Sequence, residues 1–157
     1  MSKISAGLLM YRTRGGLVEV LLAHPGGPFF ATKDRGAWSI PKGLIGEGED
    51  ALEAARREFR EETGQVAHGP FIELTPVRQK GGKTVRAWAC EGDCDPAAIV
   101  SNTFTLEWPP GSGRLGTYPE IDRAGFFALE DARDRLNPAQ APWLDELARR
   151  LGAARRR

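Results

Sequence analysis

Residues 43–65 read GLIGEGEDALEAARREFREETGQ, a glycine-rich turn running into a helix that carries Glu58, Glu61 and Glu62 along one edge beside Arg57. Positions three and four apart are neighbours on a helix, so Glu58 faces both Glu61 and Glu62, and each like-charge pair of this kind costs about 0.2–0.5 kcal/mol. Helix stability alone does not select such a pattern. A hard divalent cation reverses the sign, because Mg²⁺ takes oxygen ligands and is shared between a few carboxylates and a substrate's phosphates. The competing reading is a solvated acidic face, the ordinary fate of a charge run. Mutual repulsion of three acids on one edge weighs against it.

The helix brings its own boundary signals. Asp50-Ala51-Leu52-Glu53 fits a capping box, in which the first side chain accepts a backbone hydrogen bond and the glutamate reaches back. Gly64 is suited to the left-handed conformation just past a helix end. Leu52, Ala55 and Phe59 recur at helical spacing and form an apolar stripe to lie on a sheet, which leaves the acidic edge facing a groove. Gly46 and Gly48 read as plain turn glycines. Gly43 differs, since backbone that must approach an ion and a phosphate has no room for a side chain. Lys42 is either a solvated lysine or a phosphate contact, and the Pro41-Lys42-Gly43 lead-in favours contact.

Outward from this segment, Ile4–Tyr11 and Leu17–Ala23 read as strands of a hairpin around Arg12–Gly16. His24–Gly36 holds too many breakers for regular structure and is expected to be a loop. Phe71–Val77 and Thr84–Cys90 read as two more strands joined by the basic tip Gln79–Lys83, and Thr103–Trp108 as a short one. Ala124–Leu129 reads as a buried strand, Glu130–Leu136 as a short helix stopped by Asn137-Pro138, and Pro142 as the start of a last helix with Leu144, Leu147, Ala148 and Leu151 on one face.

The 157 residues suit one domain, expected over 1–152 with a basic tail at 153–157, and 41% hydrophobic with 27% charged content is globular. No run of 18 or more apolar residues appears, and the amino end lacks a secretory pattern, so a cytoplasmic location and no membrane partner are expected. A net charge of +1 offers no global field for nucleic acid, so no stable nucleic-acid partner is expected and anion binding must be local. Cys90 and Cys94 do not make a disulfide framework, and zinc would need further ligands that His24 and His68 do not supply; they read as reduced thiols at a strand end.

Gly43, five residues, Glu49, seven residues, then Arg57-Glu58, Phe59, Arg60, Glu61-Glu62, Thr63 and Gly64 match the Nudix box, and over this segment the chain resembles a Nudix hydrolase. Gln65 stands where the family usually has an aliphatic residue, a change at the helix end that touches no ligand position. The resemblance implies an α/β/α sandwich with a mixed sheet. It also implies that Glu58 and Glu62 hold a principal Mg²⁺ or Mn²⁺, with Glu61 at a second or bridging ion and a backbone carbonyl of Lys42 or Gly43 completing the sphere. Arg57 either makes surface ion pairs with Glu53 and Glu61 or, as in the family, braces the loop against the helix together with Glu49. Glu120, in Tyr118-Pro119-Glu120-Ile121-Asp122, falls where similar enzymes carry a glutamate that ligates metal or takes a proton from water; an exposed loop glutamate is the alternative, and Asp122 is a weaker substitute.

Lys80 and Lys83, with Arg78, Lys3 and Arg12, read as cations for phosphate oxygens or as solvated hairpin residues. Trp38, Trp88 and Trp108 are candidates to stack on a base or to fill the core. The implied reaction is metal-dependent hydrolysis of a nucleoside diphosphate linked to another group, its partner a nucleotide with a polyphosphate chain. Trp38-Ser39-Ile40-Pro41-Lys42-Gly43 resembles the lead-in of diadenosine tetraphosphate and diphosphoinositol polyphosphate hydrolases, although a tyrosine that the former carry beyond the box has no counterpart at Lys80–Lys83. Dinucleoside polyphosphates therefore rank first, triphosphate sanitation second and sugar nucleotides third. A non-catalytic nucleotide-binding module is another class, but such domains tend to lose box acids that here all stand. An RNA-processing enzyme would lead one to expect a broad basic face.

Overall fold

The helix announced by Asp50 forms, and it forms between the expected caps. In the computed structural model, which describes residues 3–155, α1 spans Ala51–Thr63; the Asp50 side chain accepts from the Glu53 N–H at 3.1 Å, and Gly64 sits at φ 75 with its N–H on the Arg60 carbonyl at 2.8 Å. Only half of the capping box closes, because the Glu53 carboxylate takes Arg56 at 3.2 Å instead. Ala54, Ala55, Phe59 and Thr63 are buried, with Leu52 partly so, and this stripe decides which face of α1 meets the sheet.

The strands follow in chain order: β1 Ile4–Arg14, β2 Leu17–Pro25, β3 Lys42–Leu44, β4 Ile72–Glu73, β5 Val77–Gln79, β6 Lys83–Glu91, β7 Thr103–Glu107, β8 Leu115–Pro119 and β9 Ile121–Ala128. Two further helices close the chain, α2 Leu129–Arg135 and α3 Pro142–Arg155. The main sheet has the order β4-β6-β1-β2-β9, with β3 on β1 and β5 on β6, while β7 and β8 form a separate antiparallel ribbon. β1 and β6 run parallel, and α1 lies in the crossover that a parallel pair requires. Strand alternation splits the core in two. Leu8 and Met10 of β1 face α1, together with Leu21, Trp88 and Cys90, whereas Leu9 and Tyr11 face the other side with Trp38, Leu136, Trp143, Leu144 and Leu147. The result is an α/β/α sandwich on a mixed sheet, as expected.

Several expectations are corrected. Phe71–Val77 is not one strand but two, β4 and β5. Pro76 has no N–H to give a ladder, and the Thr75 N–H goes to Glu146 Oε1 of α3 at 2.9 Å. His24 and Pro25 extend β2 rather than open the loop, and the loop itself contains a short 3₁₀ turn at Pro28–Phe30. Lys42–Leu44 is a strand, and β8 lies where no element was read. Trp38 and Trp88 are core residues, 3% and 6% exposed, and so cannot lie flat on a base. Cys90 is buried, and desolvation pushes its thiol up to about 12. The basic stretch at 153–157 begins inside α3; residues 156 and 157, like residues 1 and 2, lie outside those described. No helix among the described residues is long and apolar enough to cross a membrane.

Candidate active site

β3 lays Lys42 and Gly43 against β1, pairing them with Gly7 and Ala6, and α1 lies across the same strands. That juxtaposition leaves Gly43 facing the helix at Glu58. A Cβ built on Gly43 would run into the Glu58 carboxylate, so the missing side chain is the space the carboxylate occupies. The C-terminal end of α1 is tied to the chain that follows the sheet: the Asn102 N–H donates to the Glu61 carbonyl at 3.0 Å, and the Glu120 N–H donates to the Asn102 carbonyl at 2.8 Å. One residue, Asn102, thus connects the helix to the loop glutamate.

The outcome is a cleft of about 390 Å³ lined by Lys42, Gly43, Leu44, Glu58, Glu61, Glu62, Asn102, Thr103 and Glu120. Beside it, sharing Lys42, Glu62 and Glu120, a second cleft of about 220 Å³ is walled by Ala23, Pro25, Ser39, Ile40 and Ile121. The structure therefore gathers the helix acids and Glu120 at one place. Asn102, Thr103 and Ser39 were not read as site residues from the sequence, although Ser39 lies inside the Trp38–Gly43 lead-in; the β7–β8 ribbon and the Ala23–Ser39 bridge bring them here.

Burial sets the electrostatics. Glu62 is pushed up to about 8, first by desolvation and then by the charges of Glu58 and Glu120, with the Lys42 N–H at 3.2 Å opposing. Glu58 is raised by desolvation too, partly offset by Arg57, with Glu61 and Glu120 adding to the rise. Desolvation lowers the Lys42 ammonium, Glu62 opposes this and Lys83 reinforces it. Carboxylates crowded in this way lack positive charge.

Arg57 supplies part of that charge. Its Nη1 donates to Glu58 Oε1 at 2.9 Å and to Glu61 Oε2 at 3.0 Å, while Nε and Nη2 grip the two oxygens of Glu49 at 2.8 and 3.0 Å. Nη2 also reaches the Leu44 carbonyl at 3.1 Å, so Arg57 joins the turn to the helix. The pairing with Glu61 is present, whereas Glu53 pairs with Arg56 instead. As they stand, no three acidic, histidine or cysteine side chains among the described residues converge on a single point. Mg²⁺ does not need three, because it binds through one or two carboxylates and completes its shell with water and phosphate oxygens. An all-oxygen donor set of crowded carboxylates fits a hard cation, and Glu58 and Glu62 are side chains that could hold one.

Glu49 offers a test of the brace. The Arg57 hydrogen bonds, helped by the Gly46 N–H at 2.9 Å, pull its carboxyl from 4.5 to about 2. The folded value lies below the unfolded one, so the stabilisation is complete above pH 4.5 and is lost as pH falls through about 2. In urea titrations across that window, wild type is expected to lose stability more steeply than Glu49→Gln. Parallel curves would mean the brace contributes nothing.

Other candidates lie elsewhere. Lys80 is exposed on the β5–β6 hairpin and lines neither cleft; Lys83 is exposed as well, near enough to act on Lys42. Arg12 is five residues along β1 from Gly7, about 17 Å away, and is held by Glu19 and Asp93 at 2.8 Å each. It does not belong to the substrate end. Asp122 is taken by His24 at 2.8 Å, which removes it as a substitute for Glu120.

The chain is similar to proteins of known family. A family model described as NUDIX domain matches residues 1–147. The RNA pyrophosphohydrolase of Erythrobacter litoralis is 46% identical over 64 residues, 38% of this chain and 37% of that one. The asymmetrical bis(5'-nucleosyl)-tetraphosphatase of Mus musculus is 42% identical over 60 residues, covering 34% and 41%. The chain spans less than half the length of the curated relatives it matches. Among solved structures, a C. elegans Ap4A hydrolase binary complex superposes with a TM-score of 0.68 at 22% identity, covering 95% of this chain and 98% of that one.

Proposed function

The chain belongs to the Nudix family, and from that premise we propose that it is a divalent-metal-dependent hydrolase of phosphoric anhydride bonds acting on a nucleoside diphosphate joined to a further group. The observation that carries this reading is the placement of Glu58, Glu61, Glu62 and Glu120 around one cleft beside Gly43 and Lys42. A divalent ion bound there would supply Lewis-acid polarisation of a phosphoryl oxygen and a more acidic water. Glu58 and Glu62 hold it, Arg57 and Glu49 keep the acids in place, and Lys42 meets phosphate oxygen at the shared wall of the two clefts. Glu120 receives the proton as water forms its new P–O bond and the anhydride P–O bond breaks.

For the substrate, a dinucleoside polyphosphate ranks first, supported by the Trp38–Gly43 lead-in and by the similarity to the mouse tetraphosphatase. A second reading, hydrolysis at a polyphosphate end of RNA, is favoured by the Erythrobacter relative and opposed by a net charge of +1. The deciding experiment incubates the protein and Mg²⁺ or Mn²⁺ with dinucleoside polyphosphates, nucleoside triphosphates, sugar nucleotides and 5'-triphosphorylated RNA, and identifies the products. Turnover of one class, lost with chelator and restored by metal, is expected. Binding without product from any of them would make the chain a nucleotide-binding module instead.

A further inference from the structure

β2 and β9 pair in step from Glu19↔Ala128 to His24↔Arg123, yet the next pair is Pro25↔Ile121. Asp122 is therefore an extra residue on β9, a β-bulge. Side chains alternate along a strand, so one extra residue sends everything beyond it to the opposite face. The bulge thus decides that Ile121 is buried and that Glu120 lines the cleft.

We infer that the His24–Asp122 pair is the lock on this bulge, making both residues positioning residues for Glu120; the kinetic part of this inference rests on the function proposed above. His24 is wholly buried. Its Nδ1 meets Asp122 Oδ1 at 2.8 Å and its Nε2 donates to the Lys33 carbonyl at 2.5 Å, with Trp38 against the ring at 5.2 Å. One imidazole therefore ties the end of β2, the loop at Lys33 and the bulged residue together. Its chain neighbours Ala23 and Pro25 wall the smaller cleft, and so do Ile121 at the start of β9 and Glu120 just before it. The lock sits directly behind both walls. Backbone bonds pass its effect on, since the Gly26 N–H donates to the Glu120 carbonyl at 3.0 Å and the Glu120 N–H is held by Asn102 at 2.8 Å. Nothing in the hydrolytic chemistry calls for a buried histidine here; holding the register does.

Two readouts test this on the full chain. Without metal or substrate, Asp122→Ala is expected to speed amide exchange at Gly26 and Glu120 about tenfold or more, through local opening of the bulge, while Asp122→Asn, which keeps an oxygen for His24, leaves it slow. With the substrate found above, Asp122→Ala is expected to lower kcat about 10²-fold with KM little changed, the scale of a small misplacement of a catalytic group. In a Glu120→Ala background it should cost nothing more. Because His24→Ala opens a void in the core and can fail to fold, the Asp122 variants carry the test. Unchanged exchange overturns the lock whatever the kinetics show. Equal kcat losses with and without Glu120 overturn the positioning role. A wild-type protein that hydrolyses nothing defeats the proposed function, and the exchange data still decide the lock.

Discussion

Glu62→Gln is expected to lower hydrolysis about 10³-fold while making the metal-free fold more stable. The first effect follows from charge. The amide keeps the shape of the carboxylate and an acceptor for the Lys42 N–H, but it brings no negative charge to a cation, and losing several kcal/mol of transition-state charge stabilisation is worth about three decades in rate. The second follows from burial. Glu62 is held largely out of water, with desolvation and the charges of Glu58 and Glu120 all disfavouring its ionised form. A neutral side chain removes that penalty, and each 1 kcal/mol gained raises the melting temperature of a domain this size by about 2–4 °C. Adding Mg²⁺ or Mn²⁺ should then raise the melting temperature of wild type and leave the variant nearly unmoved, because only a ligand that binds the folded state shifts it. Steady-state kinetics and thermal scans with and without metal check both halves. A variant that turns over like wild type would rule out Glu62 as a ligand, and one that melts lower without metal would show its charge to be satisfied already.

The repulsion that this prediction turns on is also why the candidate site was legible. Three acids on one helix edge contradict helix energetics, and a local contradiction of that kind can be seen without a structure. The caps of α1, the hairpin of β1 and β2, and β6 were legible for the opposite reason, since propensity, periodicity and turn residues agree there. What was hidden depends on distant partners. Leu115–Pro119 contains Gly116 and Pro119 and has no fully buried residue, and it is a strand only because Thr103–Glu107 pairs with it. Lys42–Leu44 is too short to announce itself and is made a strand by β1. Pro76 is passed over when Phe71–Val77 is read as one strand, and where the interrupted backbone bonds depends on Glu146 of α3. Glu120 was reachable only by resemblance. Its contact with the helix acids runs through Asn102 and a bulge at Asp122, and neither leaves a trace in hydrophobic pattern.

Gly43→Ala is expected to cost activity about 10²-fold while leaving the fold nearly intact. Gly43 does not occupy the left-handed region, so alanine meets no backbone strain there, and β3 keeps its ladder with β1. The new methyl instead runs first into the Glu58 carboxylate, whose carbon and both oxygens are the nearest atoms to the added Cβ. That group is the far end of a flexible side chain and can swing away without disturbing the core. Swinging away displaces the carboxylate from Arg57 Nη1, now at 2.9 Å, and from the cleft it lines with Glu62. Gly48→Ala is the control with the reverse signature. Gly48 sits at φ 72 with open space around it, so alanine there strains the turn and touches no acid; a loss of about 1 kcal/mol of stability with near-normal kcat is expected. Urea denaturation and metal-titrated kinetics on the two variants separate these outcomes. If Gly43→Ala lost stability rather than turnover, the glycine would be serving the strand, and the room it leaves for Glu58 would have no catalytic meaning.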